Sequence, residues 1–161
     1  MPTSLAPMPP VQWEWKRFPE LTPAELYALL AARAAVFVVE QACAFQDADG
    51  LDAFAWHLLG WVERDHDPTL AAYLRLIDPG RKYTEPSIGR VLTTLPFRGA
   101  DLGRAAMREA LARAATLYPG RAVRIGAQQR LERFYAELGF RTVSVPYDED
   151  GIAHVEMLRS T

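Results

Sequence analysis

The stretch from Ser87 to Leu117 constrains the fold more than any other part of the chain. Ser87 to Leu95 (SIGRVLTTL) is rich in β-branched residues and runs free of proline until Pro96, the pattern of a central strand. Arg98-Gly99-Ala100-Asp101-Leu102-Gly103 follows as a tight turn with two glycines. Leu102, Ala106, Ala110, Ala114 and Leu117, with Leu111 beside them, then recur at helical spacing until Pro119 and Gly120 stop the helix. A short strand, Ala122 to Gly126, and a second helix, Gln128 to Leu138, complete a β-turn-α-β-α passage. That helix has Leu131, Phe134, Tyr135 and Leu138 on one face and Gly139 as its stop. Such a passage requires a sheet with helices packed on its faces.

The remaining segments fit the same architecture. Val11 to Phe18 reads as a first strand. Thr22-Pro23-Ala24-Glu25 is a capping box that opens a helix continuing to Phe37, although the β-branched run Val36 to Val39 leaves its end undefined. Gln41 to Asp52 reads as a loop. Ala55 to Val62 and Thr69 to Ile77 form an antiparallel hairpin across a long polar turn, Glu63 to Pro68. Phe140 to Val145 and Ile152 to Leu158 are final strands joined through Asp148-Glu149-Asp150-Gly151. The expected class is α/β (α+β), in the order β-α-β-β-β-α-β-α-β-β.

A chain of 161 residues fits one domain, here 13–161, preceded by a flexible tail, 1–12, with four prolines and no basic residue. Half the residues are apolar, which excludes a disordered chain. A single cysteine, Cys43, excludes an internal disulfide framework. The apolar stretch Leu26 to Val39 is interrupted by Arg33 and falls short of the ~20 residues of a membrane span. No signal peptide is visible, so the expected location is the cytoplasm, with no membrane partner.

Charge is uneven. Residues 1–97 carry eight basic and twelve acidic side chains, 98–141 carry nine arginines and four acids, and 142–161 carry one arginine and four acids. The central block is either a seat for a polyanion or an arginine-rich set of solvated helix faces. The net charge of −2 does not favour nucleic acid as a partner. The Arg98–Gly103 turn sharpens the polyanion reading. A helix start preceded by glycines gathers unbonded backbone N–H groups, and the helix dipole favours an anion there. Many strand–helix links contain glycine without holding an anion. The turn is neither a P-loop nor a dinucleotide fingerprint.

With Arg133-Phe134-Tyr135-Ala136-Glu137-Leu138-Gly139-Phe140 added, the chain resembles the GNAT superfamily of acyl-CoA-dependent N-acetyltransferases, and within it the ElaA-like group. Arg98 to Gly103 is similar to that superfamily's pyrophosphate motif, and Phe134-Tyr135 with Gly139-Phe140 is similar to its second signature. Arg33 to Gln41, Asp47 to Asp52, Gly126-Ala127-Gln128 and Glu149 to His154 carry the likeness to the ElaA-like group. The superfamily motif usually has glycine where this chain has Asp101, which sets a side chain and a negative charge beside the phosphates. Alternatively, Asp101 caps the helix.

The resemblance implies a mixed, mostly antiparallel sheet splayed between its fourth and fifth strands, flanked by helices, with acetyl-CoA as co-substrate in the split and no metal. The backbone of Val91, Leu92 and Thr93 would hold the pantetheine arm, with Leu92 or Thr93 supplying the oxyanion donor. Arg98, Gly99, Ala100, Asp101, Leu102, Gly103 and Arg104 would hold the pyrophosphate, and Gln128 the cofactor or substrate. Tyr135 would protonate the leaving thiolate, and Glu40 or His154 would take the proton of the attacking amine. Read without the resemblance, Val91 to Thr93 are strand core, Tyr135 is a core tyrosine and Gln128 a helix cap. His57 is a third candidate base or a packed side chain, and Cys43 a candidate for a covalent acyl route. Acids at Glu40, Asp47, Asp49 and Asp52, and again at Asp148 to Asp150, suggest a cationic amine, small molecule or peptide; both clusters also read as solvated loops, the 148–150 cluster more so. An exposed edge strand offers a route to a homodimer. Two readings compete with catalysis: a non-catalytic acyl-CoA-binding domain of the same fold, and nucleic-acid binding through the arginine-rich helix.

Overall fold

The computed structural model describes residues 7–161. Residues 1–6, half of the expected tail, lie outside the described residues, and Gln12 already belongs to the first strand. The elements are β1 (Gln12–Arg17), α1 (Pro23–Arg33), β2 (Ala55–Arg64), β3 (Asp67–Ile77), β4 (Ser87–Thr93), α2 (Leu102–Leu117), β5 (Val123–Gln128), α3 (Glu132–Ala136), β6 (Arg141–Thr142), β7 (Tyr147–Glu149) and β8 (Ile152–Arg159). They build one eight-stranded sheet in the order β1-β2-β3-β4-β5-β8-β6, with β7 also on β8. Every pairing is antiparallel except β4 with β5.

The helices cover opposite faces because alternate strand residues point to opposite sides. Leu58, Leu74, Leu76 and Ile125 meet the stripe Ala106, Met107, Ala110 and Ala114 of α2. Leu59, Tyr73 and Leu92 face Leu29 of α1. The small residues of α2 let the helix lie close to the sheet.

The sheet is parted between β4 and β5. The pair is registered only at Ser87 opposite Arg124, where Arg124 N donates to Pro86 O at 3.0 Å. The Arg124 guanidinium clamps this closed end, reaching Glu85 at 3.1 Å and Glu156 at 3.0 Å. Beyond it the strands diverge. On β4 two residues, Arg90 and Val91, oppose the single residue Leu74 of β3, and Arg90 takes φ +52°. This bulge bends β4 away from β5.

Several local expectations need correction. The helix that Thr22 and Glu25 start with the expected reciprocal bonds, 3.2 and 2.9 Å, ends as an α-helix at Arg33 and continues as a π-helical stretch over Ala34–Glu40. The β2–β3 turn is not long. Arg64 pairs with Asp67 across Asp65 and His66, both at positive φ, which makes a two-residue hairpin turn. The expected strand 140–145 shrinks to β6: beyond Val143, whose N donates to Glu156 O, the Ser144 hydroxyl takes the Glu156 N–H in place of a backbone carbonyl. The chain pairs again as β7, a strand hidden in the acidic turn, and reverses at Asp150-Gly151.

Candidate active site

The divergence of β4 and β5 opens a cleft of about 950 Å³. Val91, Leu92 and Thr93 line one wall and Gly126, Gln128 and Tyr135 the other. The π-helical end of α1 contributes Phe37 and Glu40, and the β7–β8 hairpin contributes Glu149 and His154. Among the expected site residues, Ala100 and Arg104 do not line the cleft. The Arg104 side chain is drawn onto α3 by Glu137 at 2.9 Å and lies over the Phe134 ring.

At one end sits the Arg98–Gly103 turn. Gly99 takes φ +86° and Asp101 φ +59°, and α2 begins at Leu102. The first helical bond is Ala105 N to Asp101 O, at 3.2 Å. Among the described residues, no protein group accepts from the amides of Gly99 to Arg104. Asp101 stands at the N-cap, but its left-handed backbone turns the carboxylate from the helix amides to Arg104 Nε, 3.3 Å away. The alternative reading, that its side chain caps the helix, is therefore overturned.

Thr94 N donates to Ala71 O at 2.9 Å. Alternation along an antiparallel pair then turns the backbone edge of Leu92 towards β3 and that of Thr93 towards the cleft. The carbonyl of Thr93 accepts from Arg98 Nε at 3.1 Å. The amide of Leu92 is thus committed to the sheet.

Tyr135 is buried, its ring held edge-on by Phe134 and Phe140 at centroid separations of 5.0 and 6.1 Å. Burial pushes its phenol up to about 12, so it stays protonated across the neutral range and is available as a donor. His154 lines the cleft opposite Gln128 in the β5–β8 ladder. Its Nδ1 lies 2.8 Å from the carbonyl of Ile152, which only accepts, so Nδ1 carries hydrogen. Nε2 lies 3.2 Å from Glu149. The pairing of Glu149 with His154 escaped the sequence reading. The Asp-Gly pair that marks a tight hairpin turn was the available signal, since it sets Glu149 opposite Ile152, two residues from His154.

The other candidates are positioned differently. Glu40 makes a two-pronged ion pair with Arg98, Oε1–Nη1 at 2.5 Å and Oε2–Nη2 at 2.7 Å, which holds its carboxyl below the usual range. His57 is fully buried away from the cleft. Its Nε2 donates to Asp52 O at 2.9 Å, its Nδ1 accepts from Tyr73 at 2.7 Å, and burial pushes its pKa down. It is a packed side chain. The Cys43 thiol donates to Asp150 O at 3.2 Å. Gln128 bridges the cleft to Gln41 at 3.0 Å and accepts from Arg130 instead of capping a helix.

The two acid clusters are positioned differently. Asp47, Asp49 and Asp52 are all paired with arginines, and of the three only Asp49 lines the cleft. Arg33 bonds Asp47 and Asp52, Arg75 bonds Asp49 and Asp52, and Arg90 bonds Asp47. Glu149 and Asp150, of the second cluster, line the cleft, which favours the substrate-facing reading over the solvated loop. The arginine block is likewise mostly committed: Arg113 lies over Trp56, Arg121 bonds Thr84 O and Arg124 clamps the sheet.

A parted parallel strand pair with unbonded amides at one end of the gap is a geometry suited to an extended ligand with an anionic end. Residues 61–160 match the family model of the acetyltransferase (GNAT) domain, and the chain belongs to that family. A UPF0039 protein of Synechocystis is 44% identical over 92% of this chain and 94% of its own length. Protein ElaA of Escherichia coli is 38% identical over 92% and 96%. An acyl-CoA N-acyltransferase from Pseudomonas aeruginosa superposes with a TM-score of 0.87 at 42% identity, covering 94% of this chain and all of that one. The crystal structure of E. coli ElaA gives 0.84 at 38% identity, covering 93% and 99%. The protein is an acyltransferase of this type. Among the described residues no helix is long and apolar enough to cross a membrane.

Proposed function

We propose that the protein transfers an acetyl group from acetyl-CoA to a primary amine, small molecule or peptide, by direct attack in a ternary complex. The observation that carries this reading is the row of unbonded amides from Gly99 to Arg104 at one end of the cleft that Tyr135 also lines. The helix start and Arg98 favour the diphosphate of the co-substrate. The cleft-facing backbone of Thr93 offers an amide to the thioester oxygen as negative charge develops.

An ammonium must lose a proton before it attacks. His154 is the acceptor the geometry supports best, because the hydrogen on Nδ1 is fixed by Ile152 and Glu149 stands ready to stabilise the proton gained at Nε2. Glu40, paired with Arg98 in the free protein, faces the same cleft and is the second candidate base. Tyr135 protonates the departing CoA thiolate. Asp150 and Glu149, rather than the arginine-paired Asp49, present negative charge to the incoming amine.

Thiol release from acetyl-CoA with a panel of polyamines, amino acids and peptides, with mass analysis of the products, tests the reading. Amine-dependent release is expected, and Tyr135→Phe lowers kcat by about 100-fold with CoA affinity unchanged. CoA binding without thiol release across the panel overturns catalysis in favour of an acyl-CoA-binding domain. Faster turnover of neutral than of cationic acceptors overturns the electrostatic part.

A further inference from the structure

We propose that Arg98 is a transferable clamp, for which Glu40 and the co-substrate's diphosphate compete, so that diphosphate binding releases the Glu40 carboxylate to hold the acceptor's ammonium. The inference rests on the reading that the 98–104 turn takes a diphosphate.

Arg98 is the first residue of that turn and lines the cleft, as Glu40 does. Its donors are distributed over two partners. The fork grips Glu40 at 2.5 and 2.7 Å, and Nε holds the carbonyl of Thr93 at 3.1 Å. Both partners have another use in the reaction. The Thr93 carbonyl is a cleft-facing acceptor with no strand opposite it, because β5 has diverged. The Glu40 carboxylate faces the same cleft from the end of the π-helical stretch.

The exchange runs downhill on electrostatic grounds. The side chains of Arg98 and Glu40 are 36% and 47% exposed, and an ion pair so open to water is a weak one. A diphosphate brings more negative charge and more acceptor oxygens than one carboxylate. It is also met by the neighbouring amides and the start of α2, which Glu40 does not reach. Once the guanidinium turns to the phosphates, the Thr93 carbonyl is left to accept from an amide of the pantetheine arm. Arg130 is then the remaining cation acting on Glu40, and it is tied to Gln128. Glu40 thereby becomes an acceptor-positioning residue in the binary complex, and amine affinity rises after the co-substrate has bound.

The test is isothermal titration of CoA into the full chain. Glu40→Gln removes the competitor, so CoA binds about three-fold tighter, a gain that fades at high salt. In steady state the same variant shows a lowered KM for acetyl-CoA and a raised KM for the amine, a split that a merely structural role would not produce. In an Arg98→Met background, Glu40→Gln leaves CoA affinity unchanged. Wild-type protein that binds CoA while Glu40→Gln binds it no tighter overturns the clamp alone, as does equal tightening in the Arg98→Met background. Wild-type protein that takes up no CoA overturns the diphosphate reading and the clamp together.

Discussion

Asp101 shows how one side chain sets the character of the phosphate turn. Its φ of +59° is a conformation that costs most L-residues about 1–2 kcal/mol, less for aspartate. Glycine there would relieve the strain but add freedom to the unfolded chain, an opposing effect of about 0.5–1 kcal/mol. The backbone effects of Asp101→Gly nearly cancel, and its ion pair with Arg104 is exposed and weak. What remains is the loss of a negative charge beside a seat for phosphates. Asp101→Gly is therefore expected to bind CoA two- to five-fold tighter at low ionic strength, with little change in melting temperature. The gain should vanish near 1 M salt, where the screening length falls to about 3 Å. Titration at two salt concentrations checks this, and weaker binding would mean that Asp101 serves the site by ordering Arg104.

At the scale of elements, the segment between α1 and β2 is fixed by buried charge more than by apolar contacts. Arg33 is fully buried on α1, and its guanidinium ties Asp47 and Asp52 to the helix. Arg33→Met leaves those carboxylates without their main counter-ion and is expected to lower stability by about 3–5 kcal/mol in chemical denaturation. A loss below 1 kcal/mol would show that Arg75 and Arg90 suffice. This network also explains which parts of the site were legible in the sequence. The start of α1, the strand–turn–helix at 87–117 and the hairpin β2–β3 rest on local signals: a capping box, alternation, glycines at a helix start. The partners of Asp47, Asp49 and Asp52 lie 14 to 43 positions away in sequence, so a local reading saw three unpaired acids and assigned them to a substrate. The π-helical stretch was illegible for a different reason. Its run of β-branched and aromatic residues is compatible with strand or helix, and tertiary contacts decide. The Asp65-His66 turn lacks the glycine that usually marks a two-residue reversal.

For the whole molecule, the two halves of the sheet touch by a single registered strand pair, and side-chain bridges cross the cleft above it: Gln41 to Gln128 and Cys43 to Asp150 O. The charged layer beneath α1 lies against one of these halves and makes the stability of the fold depend on pH. Burial pushes the Asp49 carboxyl up, but Arg75 more than offsets this and leaves it well below its ordinary value. Burial and Arg33 act in the same opposing way on Asp52, whose pKa also ends lowered. A depressed carboxylate stabilises the native state above its unfolded value, about 3.9, and that contribution is lost as pH falls towards the native one. His57 adds an earlier step. Its pKa is lowered by burial, so below about 6.5 the unfolded chain takes up a proton that the native ring refuses, and the fold weakens as pH falls. Both effects have the same sign in different windows. Urea midpoints are expected to decline gently between pH 7.5 and 5, and steeply below about pH 4. His57→Gln, which keeps a donor for Asp52 O, is expected to flatten the upper limb and leave the lower one. Midpoints that stay level down to pH 3 would mean that the buried arginines hold their carboxylates equally well in the unfolded chain.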